Sequence, residues 1–363
     1  MTVSIIIKTL DDEKRIARTI DCALKALPDG QGEIIVTDLG SRDRTIEIAS
    51  AYPVRLVQIA RPARFRSGAG AQLGYQYARH DFICLIDADM ELDATFLPEA
   101  ISFLERHSRT GGVTGHIETT GASANVFAID HRIGAVDQLA GGGLYRRRAV
   151  EAIDYMADRN LHGYEELNLG IRLRSAGWKL HRLDRRFAGY HGRDPRSRDL
   201  LLQQVKTKEP FGIGELLRAA TGKPYFYRLL RALPELAVLG LAWAFMLGSL
   251  LLLATSPNIA IPALIITVGL GLAVAVTSFR TGRLKTGLYT VIVRFLQAIA
   301  LPVGYITPRR NPRSWIESRL LGEPDAEVSR DADQTLEAYD PGMAKNARRA
   351  VISDQRRQAV RLR

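Results

Sequence analysis

The stretch "FICLIDADMELD", residues 82–93, decides the reading of this chain: an apolar run, Ile83 to Ile86, leads straight into Asp87, with Asp89 two places on. A continuous apolar run of this length fits a strand buried on both faces of a parallel sheet. In an extended chain residues i and i+2 share a face. Asp87 and Asp89 would then stand side by side, with α-carbons roughly 6–7 Å apart. Two carboxylates that close need a cation, a proton or a hydroxyl group between them. The strand therefore ends in a candidate binding site.

The segments on either side repeat the pattern. "VSIIIK" (3–8) is a β-branched strand, and "DEKRIARTIDCALKAL" (12–27) has helical spacing at Ile16, Ile20, Ala23, Leu24 and Leu27. "GEIIVTDLGSRDRT" (32–45) reads as a strand running into a Gly-Ser-Asp turn, "RTIEIASAY" (44–52) as a helix and "VRLVQIA" (54–60) as a strand. "GAGAQLGYQYARH" (68–80) starts another helix before "FICLI". Alternation of strand and helix predicts a doubly wound α/β domain. Ligands in such sheets lie beyond the carboxyl ends of the strands, which is where Asp38 and Asp87 fall. The N-terminus "MTVSIIIKTL" has no basic region before its short apolar run, so it reads as the first strand and not as a signal peptide.

Composition narrows the partners. The chain has 363 residues, 46% hydrophobic and 25% charged, with a formal charge of +11. The first 230 or so residues are mixed, residues 236–306 are mainly apolar, and 307–363 are polar and charged. A basic balance suits a nucleotide or an anionic membrane surface. Cys22 and Cys84 sit in apolar patterns with no Cys-x-x-Cys, which excludes a disulfide framework and a cysteine-rich zinc site. No Walker A sequence and no Gly-x-Gly-x-x-Gly after a strand are present, which argues against nucleoside triphosphatases and dinucleotide oxidoreductases. No nucleic-acid partner is expected.

Five segments in order carry a resemblance: "SIIIKTLDDEKRI", "IIVTDLGSRDRT", "LIDADMELD", "GGGLYRRRAV" and "GYEELNLGIRLRSAGWKL". Over about the first 200 residues the chain resembles the family 2 glycosyltransferases. The resemblance implies a GT-A type fold, a mixed doubly wound sheet that binds a nucleotide sugar, and an inverting mechanism. Asp89, last of the Asp-x-Asp, matches the residue that ligates a divalent cation, Mg2+ or Mn2+. Asp87 matches the one that meets ribose or metal. Thr9 and Asp38 match the nucleotide pocket, where Asp38 would accept the imide N–H of a uracil and so favour a UDP-sugar. Two positions depart from the family pattern: Lys8 stands where proline is common, and Leu39 where a second Asp or Ser is common. Arg66 is a candidate contact to the diphosphate, and His191, in "GYHGRD", a candidate for the metal or diphosphate.

The acidic pair Glu165 and Glu166 matches the family's base, with Glu166 facing the acceptor in place of the usual Asp; a carboxylate there accepts the hydroxyl proton as the new bond forms. The pair also heads an amphipathic helix, whose dipole favours anions. Gly142, Gly143 and Arg146, in "GGGLYRRRA", match a segment that borders the acceptor, and Arg147 beside them is a second candidate for a phosphate. The Gln-x-x-Arg-Trp motif of processive synthases is not matched by "QQVKTKEP" (203–210), which favours transfer of single sugars.

Two uncharged stretches, 236–255 and 259–279, are long enough to cross the roughly 30 Å hydrocarbon core. The loop after them carries Arg280, Arg283 and Lys285, which places it and the catalytic domain in the cytoplasm by the positive-inside rule. The third apolar stretch, 288–306, contains Arg294 and Gln297 and reads as re-entrant or interfacial, with a third span as the alternative. The aromatic and basic segment 223–236 should lie on the anionic leaflet. The expected organisation is a catalytic domain, 1–222, an interfacial helix with two to three membrane segments, 223–306, and a basic tail, 307–363. The expected function is metal-dependent transfer of a sugar from a nucleotide donor to a lipid-linked acceptor at the inner membrane. The competing readings are a non-catalytic nucleotide-sugar-binding partner in a synthase complex and a processive synthase.

Overall fold

A computed structural model describes residues 2–27, 32–61, 67–119, 132–190 and 208–323. Its strands are β1 (Val3–Thr9), β2 (Gly32–Asp38), β3 (Arg55–Ile59), β4 (Phe82–Asp87), β5 (Met90–Leu92), β6 (Thr110–Thr119), β7 (Gly134–Ala135), β8 (Gly143–Arg146), β9 (Lys179–Tyr190) and β10 (Ser318–Gly322). The helices of the α/β part are α1 (Ile16–Ala26), α2 (Thr45–Ser50), α3 (Ser67–Tyr77), α4 (Phe96–Arg106), α5 (Arg147–Glu151) and α6 (Glu165–Ser175). A 3-10 turn (Glu209–Phe211) leads into α7 (Gly212–Ala220) and α8 (Phe226–Ala232). Three long helices follow: α9 (Glu235–Thr255), α10 (Ala260–Thr281) and α11 (Leu284–Ile306).

The strands form one mixed sheet in the order β10-β3-β2-β1-β4-β8-β6-β9-β5, with β7 on β9. β3, β2, β1 and β4 run parallel, and β8 turns antiparallel against β4. The parallel strands are apolar on both faces because helices cover both. On one face Val3, Ile5 and Ile7 of β1 join Phe82, Cys84 and Ile86 of β4 and the apolar stripe of α1, Ile16, Ile20 and Ala23. On the other face Ile6, Ile83 and Leu85 pack with Leu73 of α3, Val150 of α5 and Leu169 of α6. This is the doubly wound α/β domain that the alternation predicts.

The C-terminal part differs from the expected basic tail. Residues 309–316 bind the α/β domain, with Arg309 paired to Asp158 and the Asn160 amide donating to the Arg310 carbonyl at 2.9 Å. β10 then pairs antiparallel with β3 and covers its edge. The boundary at 222 is also not a structural one. α7 and α8 share a core cluster with α6 through Leu216, Leu229, Leu167 and Ile171.

The third apolar stretch is one continuous helix of 23 residues, without the break a re-entrant segment needs. By length and composition α9, α10 and α11 are each able to cross a membrane. α9 and α10 expose apolar side chains around much of their circumference, including Leu241, Leu250, Leu264 and Phe279. Such a surface is of the kind that a lipid or a protein partner covers. α11 is different: its inner face packs on α7, where Gly214 lies against the Leu301 carbonyl and Gly304 against that of Phe211.

Candidate active site

Parallel pairing brings the predicted residues to one edge. Thr9 is the register partner of Asp38, and Lys8 that of Asp87, so the carboxyl ends of β2, β1 and β4 lie side by side. Alternation then sorts them by face. Thr9 and Asp38 follow the β1 and β2 residues of the first core, whereas Lys8 and Asp87 follow those of the second.

Asp38 is fully buried. Its carboxylate accepts from the backbone N–H of Gly40 at 2.9 Å and of Ser41 at 3.0 Å, and from the Gln58 amide at 2.9 Å. It shapes the loop beyond β2, and its donors come from the protein itself. Thr9 is buried and donates weakly to Asp12, at 3.3 Å. Leu39, the family departure, is packed in the second core.

After Asp87 the chain turns at Ala88 and Asp89 and re-forms as β5. Arg15 bridges Asp12 and Asp89, the latter at 3.5 Å. Burial, together with the charge of Asp87, pushes the Asp89 carboxyl up to about 6 in spite of Arg15. Lys8 meets Asp87 at 2.9 Å. Among the described residues no three metal-ligating side chains converge. The two carboxylates are hard oxygen donors of the kind Mg2+ and Mn2+ take, and such ions complete their shell with phosphate oxygens and water. Asp87 and Asp89 therefore fit a divalent cation as a partial ligand set.

The acid pair arrives from across the sheet. The loop before α6 is anchored to α7 by a buried pair, the His162 ring and Glu215 carboxylate at 2.7 Å, and the His162 backbone N–H also donates to Glu215. Tyr164 then adopts a left-handed conformation, φ 64°, which a bulky residue takes only under constraint. Glu165 and Glu166 follow as the first turn of α6. Glu165 reaches Lys8 at 3.6 Å, so the Lys8 ammonium lies between the strand-end carboxylate and the acid pair. Glu166 accepts from the Gly141 backbone N–H at 3.2 Å. Burial pushes Glu166 up to about 7; Lys8 opposes that rise, while Glu165 and Asp87 add to it. Burial works against the Lys8 charge too, yet Asp87, Glu165 and Glu166 outweigh it and hold the ammonium protonated.

The acceptor candidates in "GGGLYRRRA" need correction. Arg146 points into the protein, donating to the Thr110 and Leu104 carbonyls with its guanidinium 5.7 Å from the Phe82 ring centroid. Arg147 donates to the His80 carbonyl at 2.6 Å and lies over Tyr75. Both are struts at the start of α5, with their guanidinium groups spent on backbone carbonyls and not offered to an acceptor phosphate. Gly142, with φ +103°, lies where a Cβ would overlap the Leu85 carbonyl, and Gly143 packs as closely on β6. These glycines let β8 approach its neighbours, and Gly141 is the one that touches the site. Arg66, His191 and most of "QQVKTKEP" lie outside the described residues.

Sequence reasoning passed over Arg15 and Tyr164 and noted Lys8 only as a departure. Arg15 reads as the polar side of α1, and Tyr164 as packing. For Lys8 the signal was available: a lysine directly after "SIII" sits at the end of a buried strand and needs anions.

The glycosyl transferase family 2 model matches residues 4–158. The Haloferax volcanii protein "Low-salt glycan biosynthesis hexosyltransferase Agl6" is 34% identical over 109 residues, 28% of this chain and 24% of that protein. The aligned part thus spans about a quarter of that curated relative. The mannosyltransferase PcManGT of Pyrobaculum calidifontis, solved with GDP-Man and Mn2+, superimposes with a TM-score of 0.56 at 17% identity, covering 84% of this chain and 86% of that one. S. aureus TarS 1-349, solved with UDP-GlcNAc, gives a TM-score of 0.50 at 17% identity over 60% and 65%.

Proposed function

We propose, from the premise that residues 4–158 form a glycosyl transferase family 2 domain, that the chain transfers a sugar from a nucleotide donor, a UDP-sugar, to a lipid-linked acceptor. The observation that carries this is the meeting of two carboxylate sets across Lys8, Asp87 on the donor side and Glu165 beside Glu166 on the other. The loops after β1 and β2 hold the nucleotide, with Thr9 at the pocket and Asp38 ordering its floor. Asp89 and Asp87 would hold a divalent cation, which would supply positive charge to the leaving diphosphate. Glu166 accepts the acceptor hydroxyl proton as that oxygen attacks the anomeric carbon and the bond to the diphosphate breaks. Displacement from the face opposite the leaving group inverts the anomeric centre. With its carboxyl near 7, Glu166 is suited to take a proton at neutral pH.

A lipid-linked acceptor is supported by what lies next to the acid pair. Tyr164, which precedes Glu165, packs with Leu236 and with the cluster of Ile213, Leu239 and Ala298 from α7, α9 and α11. The acid pair therefore stands beside the apolar helices, a position that suits an acceptor held at a lipid headgroup. Because nucleotide sugars are made in the cytoplasm, this reading puts the domain on the cytoplasmic face of the inner membrane.

The test uses full-length protein in detergent, incubated with radiolabelled nucleotide sugars, native lipid extract and Mg2+ or Mn2+. Labelled product in the lipid phase is expected with at least one uridine donor. Donor binding without transfer or hydrolysis under any of these conditions would leave only a binding role.

A further inference from the structure

The reaction outlined above assigns Lys8 no step, yet the lysine is among the most constrained groups in the molecule. Its residue is 7% exposed, and its stem packs beside Gly70 at the start of α3. The ammonium lies 2.9 Å from Asp87 and 3.6 Å from Glu165, two carboxylates that come from elements 78 residues apart in sequence. A buried ion cluster of this kind seldom adds net stability, because desolvation cancels most of the attraction. Ile6, two places earlier on the same face, shows that an apolar residue fills such a position at lower cost.

We propose that Lys8 is a positioning residue for sugar transfer: its ammonium ties Asp87, on the donor side, to the acid pair at the head of α6 and fixes the gap across which the sugar passes. The proposal rests on the function proposed above. The groups facing Glu166 make the consequence specific. They are Lys8 from β1, Asp87 from β4, Glu165 from α6 itself, the Gly141 backbone N–H, and the buried Tyr145 of β8. Lys8 is the one cation among these groups of the described residues. Without it Glu166 faces only negative charge from Glu165 and Asp87, so it holds its proton to higher pH and α6 is pushed from β4.

The test compares Lys8→Met, Lys8→Arg and the double variant Lys8→Met/Glu165→Gln in the full chain, with UDP binding by calorimetry as a check on the fold. For Lys8→Met the expected result is UDP affinity within a few-fold of the parent, a kcat at pH 7 lower by about tenfold or more, and an acid limb of the rate profile moved to higher pH. Lys8→Arg, which keeps the charge, should recover part of kcat. The double variant, which removes one negative charge along with the positive one, should move the acid limb back. A Lys8→Met enzyme with parental kcat and an unmoved profile overturns the proposal. So does Lys8→Arg behaving as Lys8→Met does, or a double variant whose limb stays with the single variant. Should Lys8→Met fail to fold, the arginine variant and the profile of Glu165→Gln decide, since Glu165→Gln alone should move the limb to lower pH. Full transfer by Glu166→Gln would remove the base itself, a different failure from an inactive Glu166→Gln beside an unaffected Lys8→Met.

Discussion

Glu166 is pulled two ways by one property. With its carboxyl near 7 instead of the ordinary 4.5, it is a usable base only once deprotonated, so transfer should rise as pH passes through about 7. Glu166→Gln should keep UDP binding and lose transfer at every pH; calorimetry beside a transfer assay separates the two, and loss of both would make the residue structural. Stability runs the other way. A folded carboxyl raised above its unfolded value binds more protons in the native state, so its contribution is fully present below pH 4.5 and is lost as pH rises through 7. Glu166→Gln should therefore melt higher than the parent at pH 8, by up to about 3 kcal/mol, with the margin shrinking towards pH 4.5. A parent more stable than the variant at pH 8 would refute the buried-charge account. Asp89→Ala should abolish transfer with either Mg2+ or Mn2+; near-parental turnover would remove the metal assignment. That Asp87 ends a strand and that Glu165 and Glu166 head a helix was legible as sequence, because strand ends and helix starts declare themselves; the roles assigned to them came from the resemblance. The inward turn of Arg146 was not, since its partners are the Leu104 and Thr110 carbonyls, and a backbone oxygen leaves no mark in a sequence.

At the level of elements, α11 shows what packing decides. Pro302 lies inside the helix and has no N–H to give the Ala298 carbonyl four residues back. The Trp243 indole of α9 donates to that oxygen at 3.0 Å. In apolar surroundings an unpaired carbonyl is costly. Trp243→Phe should thus destabilise the helix pair by about 1–2 kcal/mol, read as a lower melting temperature in detergent, and Trp243→Phe/Pro302→Ala should regain most of it. An unchanged melting temperature in Trp243→Phe would show that the bond carries no weight. The parallel strands and α1 could be read from periodicity because the core they face is made of near neighbours. β10 could not. "SRLLG" follows a basic run, exposes Leu320 and Leu321, and owes its strand form to β3, more than 250 residues earlier. Of the readings of 288–306, the re-entrant one fails because α11 is continuous: Arg294 and Gln297 interrupt the apolar run, but they face each other at 2.9 Å, which lowers the penalty of placing them in an apolar helix.

For the molecule as a whole, the same β10 constrains how the chain meets the membrane. The segment 235–306 leaves the catalytic domain at α8, which packs on α6, and returns to it, since α11 ends against α7 and β10 lies in the sheet. A folded domain occupies one side of a bilayer, so the chain between those points crosses an even number of times. Three independent spans, which composition alone allows, are incompatible with β10 on β3. Arg280 at the end of α10, Arg283 in the turn and Lys285 at the start of α11 favour α9 and α10 as the crossing pair, with that turn on the side of the α/β domain. α11 would then stay at the boundary, held by Gly214 and Gly304 against α7. Single cysteines introduced in a background lacking Cys22 and Cys84, and labelled from either side of sealed membranes, test this. Ser102→Cys on α4 and Leu321→Cys on β10 should react from the same side, Gly282→Cys with them, and Asn258→Cys from the other. Leu321→Cys reacting opposite Ser102→Cys would mean an odd number of crossings and a β10 that does not pair with β3. Agreement of those two with Gly282→Cys on the far side would keep the even count but make α9 and α11 the crossing pair, which would put the basic turn outside and overturn the charge argument. The count also predicts what truncation does. A chain cut after Gly222 loses β10 and α8 as well as the apolar helices, bares the β3 edge, takes Leu229 and Leu233 out of the α6 core cluster, and should aggregate. If the cut chain were instead monomeric and bound UDP as tightly as the full chain, β10 would be dispensable to the sheet and the even count would lose its anchor.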